Sequence, residues 1–221
     1  RPRGGRAEGP DSSVSGAQQA ASLLGAGRGR RFVASPPLNC AAMAEPTSAP
    51  ERVYTGVKFA VDRVAIAHRD EGEALRELVV HPGAVIVLPI LDDGRVVMIR
   101  NHRFAVGQTL WELCAGTLEP GEPPADCAGR ELIEETGYEA GSIRPMTTFY
   151  TSPGFTNETM HALLATDLKP VGQRLEATEQ IEVEPIPADR VMAMVGDGTI
   201  RDGKTIAALL YHRRFLADDN D

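Results

Sequence analysis

Three carboxylates, Glu131, Glu134 and Glu135, stand at i, i+3 and i+4. On a helix this spacing stacks them along one face. So placed they repel one another, and a helix that carries them needs a positive counterpart. A divalent cation is the natural one, and hard oxygen donors favour magnesium, with manganese able to replace it. The helix is clearly marked. Pro123 and Pro124 suit a first turn, where a missing N–H costs nothing. Glu122 and Asp126 lie near its N-terminus, where the helix dipole favours negative charge. Gly137 suits the left-handed residue that ends it. Glu134 and Glu135 sit at the unfavourable end of that dipole, and a local conflict of this kind marks a functional site.

The surrounding stretch adds fixed positions. Gly116, Glu122, Arg130, Glu131, Leu132, Glu134, Glu135 and Gly137 follow G-x5-E-x7-R-E-U-x-E-E-x-G-U, with U apolar. The segment therefore resembles the Nudix box, with Tyr138 in place of the usual last aliphatic residue. Pro153 stands fifteen residues beyond Tyr138, within Thr151-Ser-Pro-Gly-Phe-Thr-Asn-Glu158. That loop resembles the one that marks the ADP-ribose pyrophosphatase subgroup. The resemblance implies a Nudix α/β/α sandwich over about residues 83–217. It also implies a small N-terminal β extension, residues 51–82, that helps to form a homodimer and to complete the substrate pocket.

Metal ligation by Glu131 and Glu135 follows from their spacing, with Glu134 holding a further ion or a metal-bound water. The main-chain carbonyl of Ala115 joins them by resemblance. Arg130 is expected to orient the carboxylates, and Gly116 to let the backbone turn beside the metals. Arg103 is expected to meet a phosphate with its planar fork; by resemblance Glu112 is expected to contact substrate or its base, and Glu158 to support the site beside Pro153, a further substrate-binding candidate. The resemblance places the general base in a loop after the sheet, not in the box, with Glu176 and Glu179 as candidates; Glu134 is the catalytic carboxylate of the box through the ion or water it holds. The implied reaction is Mg2+-dependent cleavage of the pyrophosphate bond of ADP-ribose or a related nucleoside diphosphate sugar. The alternatives are another nucleotide sugar, a nucleoside triphosphate, or a non-catalytic nucleotide-sugar sensor.

Composition narrows the partners. A net charge of −8 argues against binding a nucleic-acid backbone. No apolar run approaches the ~20 residues of a membrane span. Cys40, Cys114 and Cys127 are odd in number and lack C-x-x-C spacing, which indicates free thiols in a reducing compartment such as the cytoplasm. Cys127, one turn before Glu131, is expected to pack in the core.

Residues 1–50 read as a leader without periodicity. Arginine dominates its first 42 residues, and Met43-Ala-Glu-Pro is a natural start, so residues 1–42 read as non-native or upstream sequence. A transit peptide is the alternative.

The remaining pattern alternates strands with few helices, which predicts an α/β (α+β) fold with a mixed sheet covered by helices. Val57, Phe59 and Val61 predict a half-buried strand, and residues 75–80 another. Residues 84–91 and 95–100 flank Asp92-Asp-Gly94 as a hairpin. Residues 110–118, 146–150, 159–166 and 181–186 read as strands, and 187–195 and 204–216 as helices. Trp111 reads as core. Gly198-Thr-Ile-Arg-Asp-Gly-Lys-Thr205 fits the phosphate-loop pattern G-x4-G-K-T, yet it follows a predicted helix instead of a buried strand. It is read as a turn capping the last helix, with Asp202 as N-cap.

Overall fold

The computed structural model describes residues 46–68, 72–175 and 179–217. Strands β1 (Glu51–Thr55), β2 (Ala60–Ala67) and β3 (Glu73–Val80) form an antiparallel meander. Then come β4 (Ala84–Pro89), β5 (Arg95–Arg103), β6 (Gln108–Glu112) and β7 (Ala115–Thr117). Helix α1 (Pro124–Glu131) continues into a π-helical turn, Leu132–Thr136. Strands β8 (Tyr138–Tyr150), β9 (Thr159–Pro170) and β10 (Ile181–Pro187) follow, then helices α2 (Ala188–Gly196) and α3 (Gly203–Phe215). One sheet has the order β7-β4-β9-β8, with β4 and β9 parallel, and another the order β10-β5-β6. Among the described residues no helix is long and apolar enough to cross a membrane.

β4 is buried at every position because both its faces are covered. Ala84, Ile86 and Leu88 join Met160, Ala162 and Leu164 of β9 in a core completed by Val191, Met194, Ala208 and Leu209 of α2 and α3. Val85 and Val87 face the other way, with Leu163 and Ala165, onto Cys127, Ala128 and Leu132. The period-2 alternation of a strand thus sorts one apolar run into two cores. This is the expected sandwich of helices on both faces of a mixed sheet. Leu132, the apolar position of the box motif, is fully buried in the second core, a burial worth ~2 kcal/mol. It anchors the glutamates around it.

Several local expectations are corrected. Val57 is fully exposed and Phe59 is 45% exposed, because residues 56–59 turn between β1 and β2, with Gly56 N–H bonded to Phe59 O at 2.9 Å. The buried residues of β2 are Ala60, Val64 and Ala65. The Asp92-Asp-Gly94 turn forms, with Gly94 at φ 81°. Its flanking strands meet only at Ile90 and Val96 before parting into different sheets. Residues 110–118 make two strands: the chain crosses between sheets at the buried Leu113 and Cys114, and Cys114 O accepts from Val87 N at 3.0 Å. Pro46 and Thr47, assigned to the leader, already bond to β2.

Candidate active site

The box helix lays its carboxylates against β7. Glu135 accepts the Ala115 N–H at 3.0 Å and is almost fully buried. The Glu131 carboxylate fills the space where a side chain on Gly116 would project: a Cβ there would lie 1.8 Å from Glu131 Cδ. Gly116 has no left-handed backbone, so the expected tight turn is not what requires glycine; room for Glu131 is. The helix also departs from a plain α-helix. After Glu131 it widens to the π-helical turn that carries Glu134 and Glu135, a device found often at functional sites. Gly137 closes it at φ 73°, with its N–H on Ile133 O at 3.0 Å.

One guanidinium serves three carboxylates here. Arg130 Nε and Nη2 donate to the two oxygens of Glu122, each at 3.0 Å. Its Nη1 donates to Glu131 Oε1 at 2.8 Å and to Glu134 Oε2 at 3.1 Å. These are the contacts through which the expected orienting role of Arg130 would be exerted. Burial raises the pKa of Glu135 to about 8, with the charge of Glu131 adding to the rise. Burial also raises that of Glu131. Three carboxylates against one arginine, with Glu135 beside them, leave an uncompensated negative site, and the hard oxygen donors on it suit a divalent cation. Among the described residues no three such side chains already surround one point. The reason is visible: Arg130 Nη1 stands between Glu131 and Glu134, while Glu135 is turned to Ala115 N.

Glu122 sits where a structural role is expected. Its two bonds from Arg130, with the Glu119 N–H at 3.0 Å, tie the loop before α1 to the helix. Hydrogen bonding to Arg130 lowers its pKa to about 2. A depressed carboxylate stabilises the fold above its unfolded pKa of ~4.3, and that contribution fades as pH falls towards the folded value. Glu122→Gln is expected to lower the thermal midpoint at pH 7 by about 5 °C. The gap to the native protein should close as pH drops from 4.5 towards 2. Denaturant titrations at stepped pH read this, and a gap independent of pH would refute an ionic role.

Beside the box lies an open cleft of about 650 Å³. Ala115, Gly116 and Thr117 form one wall, and Thr151, Ser152 and Glu158 another. Arg103, Asp202, Gly203 and Lys204 also line it. Arg103 donates through Nε to Glu112 Oε1 at 2.8 Å and through Nη2 to Oε2 at 2.6 Å. Glu112 is 0% exposed, so it offers no surface for the expected direct contact with substrate; it lies beneath Arg103, whose two nitrogens it accepts. Two cations, Arg103 and Lys204, take the place of the water this buried carboxylate loses.

Pro153 does not line the cleft; it shapes an exposed turn whose flanks do. That loop is stitched to β3. Val79 N–H bonds to Phe155 O at 2.8 Å, Asn157 N–H to Val79 O at 3.3 Å, and His81 N–H to Asn157 Oδ1 at 2.8 Å. Glu158 accepts from Thr151 Oγ1 and stands 3.8 Å from His81 Nδ1. The β extension therefore supports the proline loop of its own chain.

The loop after β9 wraps the end of the box helix. Arg174 N–H bonds to Glu134 O at 3.0 Å, and Gln173 Nε2 to Glu135 O at 2.7 Å. These bonds satisfy carbonyls that a helix end leaves open. Glu176 lies outside the described residues. Glu179 is close enough for its charge to add to the rise of both Glu131 and Glu135, behind burial as the main cause.

Other sequence signals resolve simply. Cys127 is buried and its thiol pushed up to about 12, first by burial; it packs, as Cys114 does. Trp111 is half-buried against the core, with Arg100 5.6 Å from its ring centre. The phosphate-loop pattern joins α2 to α3, and Asp202 caps α3 by accepting from Thr205 N at 2.9 Å. Sequence reasoning missed Lys204, which donates to Glu112 Oε2 at 3.0 Å. Its place in a helix-start turn gave no hint of a carboxylate 92 residues away.

Comparison with known proteins agrees with this geometry. The NUDIX domain family matches residues 80–209. An ADP-ribose pyrophosphatase of Bacillus subtilis (strain 168) is 37% identical over 171 residues, covering 76% of this chain and 91% of that protein. The methanol dehydrogenase activator of Bacillus methanolicus is 35% identical with the same coverage. A GDP-mannose pyrophosphatase of Citrobacter koseri is 40% identical over 141 residues, 58% of this chain and 72% of that one. A crystal structure of an ADP compounds hydrolase superimposes with a TM-score of 0.70 at 24% identity, over 80% of this chain and 96% of that one, a likeness of fold. With the box, its helix and the cleft in place, the chain belongs to the Nudix family of hydrolases.

Proposed function

We propose that this Nudix hydrolase cleaves the pyrophosphate bond of ADP-ribose or a related nucleoside diphosphate sugar, releasing a nucleoside monophosphate and a sugar phosphate. One observation carries the reading. A single cleft gathers the box strand at Ala115–Thr117, the cation Arg103, and the loop residues Thr151, Ser152 and Glu158. Its volume suits a nucleotide-sized ligand. The similarity to an ADP-ribose pyrophosphatase over 91% of that protein supports the substrate class.

Glu131, Glu134 and Glu135, with the Ala115 carbonyl, are the proposed holders of Mg2+; Mn2+ suits the same donors. When bound, such a cation neutralises the diphosphate and lowers the pKa of water beside it. The protein's own groups do the rest. Arg130 steers Glu131 and Glu134, Arg103 meets the diphosphate, and Glu179 or Glu176 accepts the proton of the attacking water. Glu158 orders the proline loop against substrate. A homodimer is proposed through the β extension, where Val53, Tyr54, Val57, Phe59 and Leu75 are exposed apolar residues. The buried free thiols Cys114 and Cys127 suit a reducing compartment, and the cytoplasm is the proposed location.

GDP-mannose is the second reading, favoured by the 40% identity to a GDP-mannose pyrophosphatase over a shorter span. A panel of ADP-ribose, GDP-mannose, UDP-glucose and ATP with Mg2+, scored by released phosphomonoester, tests both. Release from ADP-ribose well above the others is expected. Turnover of ATP alone would overturn the diphosphate-sugar reading, and no turnover at all would leave a sensor.

A further inference from the structure

Lys204 and Arg103 come from distant parts of the chain and meet on one carboxylate. Glu112 receives two bonds from Arg103 and a third from Lys204 Nζ. Lys204 Nζ also donates to Asp202 Oδ1 at 2.7 Å. Asp202 is held in turn, because its Oδ2 accepts from both Thr205 N and Thr205 Oγ1, at 2.9 and 2.6 Å. Thr205 Oγ1 accepts from Leu113 N at 3.0 Å, at the crossover from β6 to β7. The turn that mimics a phosphate loop is thus a bolt between α3 and the strand that carries Ala115 and Gly116.

The geometry points to Lys204 as a positioning residue: through Glu112 it holds Arg103 in one orientation, with a nitrogen left for the substrate's diphosphate. This rests on the reading of the cleft as a diphosphate site. Arg103 spends Nε and Nη2 on Glu112, and its Nη1 makes no hydrogen bond to a described residue. A guanidinium fork matches phosphate only when its plane is fixed. Lys204 fixes it from the second side by pinning Glu112 Oε2, the oxygen that also takes Arg103 Nη2. The charges of Arg103, Lys204, Glu112 and Asp202 cancel, so the cluster supplies orientation rather than net field. Lys204 is only 18% exposed and lines the cleft with both its carboxylate partners engaged.

Steady-state kinetics on ADP-ribose with Mg2+ test this. Lys204→Met is expected to raise KM about ten-fold while kcat changes less than about three-fold, and Lys204→Arg to restore most of the loss. The decisive arm is Glu112→Gln combined with Lys204→Met, in which Arg103 and Asp202 keep opposite formal charges, with Glu112→Gln alone as its reference and circular dichroism to verify the fold of each variant. If Lys204 acts through Glu112, the double variant has the KM of Glu112→Gln alone. An additive KM, or a Lys204→Met variant with native KM, would overturn the inference. A native protein inactive on every nucleoside diphosphate sugar would sink the substrate reading instead. Calorimetric titration with inorganic pyrophosphate then reads the network: affinity about ten-fold weaker in Lys204→Met and recovered in Lys204→Arg supports it, and equal affinity in all three overturns it.

Discussion

Glu135→Gln should fold normally and lose turnover by about a thousand-fold. The two consequences have separate causes. In the fold, Glu135 contributes one hydrogen bond, from Ala115 N, and a glutamine carbonyl oxygen can accept it equally well. The native carboxylate is buried at an energetic cost, which is why its pKa rises to about 8. A raised acid stabilises the fold below its unfolded pKa of ~4.3, and that benefit is lost as pH climbs through 8. Without metal, the variant should therefore be as stable as the native protein at pH 5 and more stable at pH 9. In catalysis, the same substitution removes charge that holds a divalent cation against the diphosphate. Glu134→Gln should also cut turnover by orders of magnitude, because its carboxylate shares Arg130 with Glu131. Thermal melts at the two pH values, beside kcat at saturating Mg2+, separate the effects. Near-native kcat in either variant would contradict the proposed role.

Gly116→Ala is the second large effect, on the order of a hundred-fold in kcat/KM. A methyl group there would fall 1.8 Å from Glu131 Cδ and 1.9 Å from its Oε1. No packing tolerates such distances, so one side must give. Glu131 is the far end of a flexible chain and will swing away, leaving β7 and its pairing with Val85 intact. The fold should survive while the carboxylate leaves its place and breaks its bond to Arg130. A normal circular dichroism spectrum with weakened Mg2+ activation is the expected pair of results. Full activity in Gly116→Ala would show that the Glu131 position does not matter.

The box was readable residue by residue because its chemistry and its local structure coincide. Prolines start the helix, Gly137 ends it, and the glutamates between occupy a face that needs a cation. The two-sided core is not legible in residues 84–91, which read only as one arm of a hairpin, although their unbroken apolar run is what lets β4 bury both faces. What stayed hidden depends on partners far along the chain. The resemblance implies that Glu112 contacts substrate, and only the approach of Lys204 and Arg103 shows it buried. The π-helical turn has no propensity signal, since its residues suit an ordinary helix equally well. Val57 and Phe59 alternate as a strand would, yet four residues are what a turn between Thr55 and Ala60 needs, and that need prevails. The hairpin signal at Asp92-Asp-Gly94 was right about the turn and wrong about the pairing, because β4 finds longer partners in β7 and β9.

The most direct test is a crystal of the native protein soaked with Mn2+ and a non-hydrolysable ADP-ribose analogue, read by anomalous scattering. Manganese is expected on Glu131 and Glu135 beside Ala115, with the diphosphate between the ion and Arg103. Manganese bound elsewhere, with those glutamates still paired to Arg130 and Ala115 N–H, would contradict it.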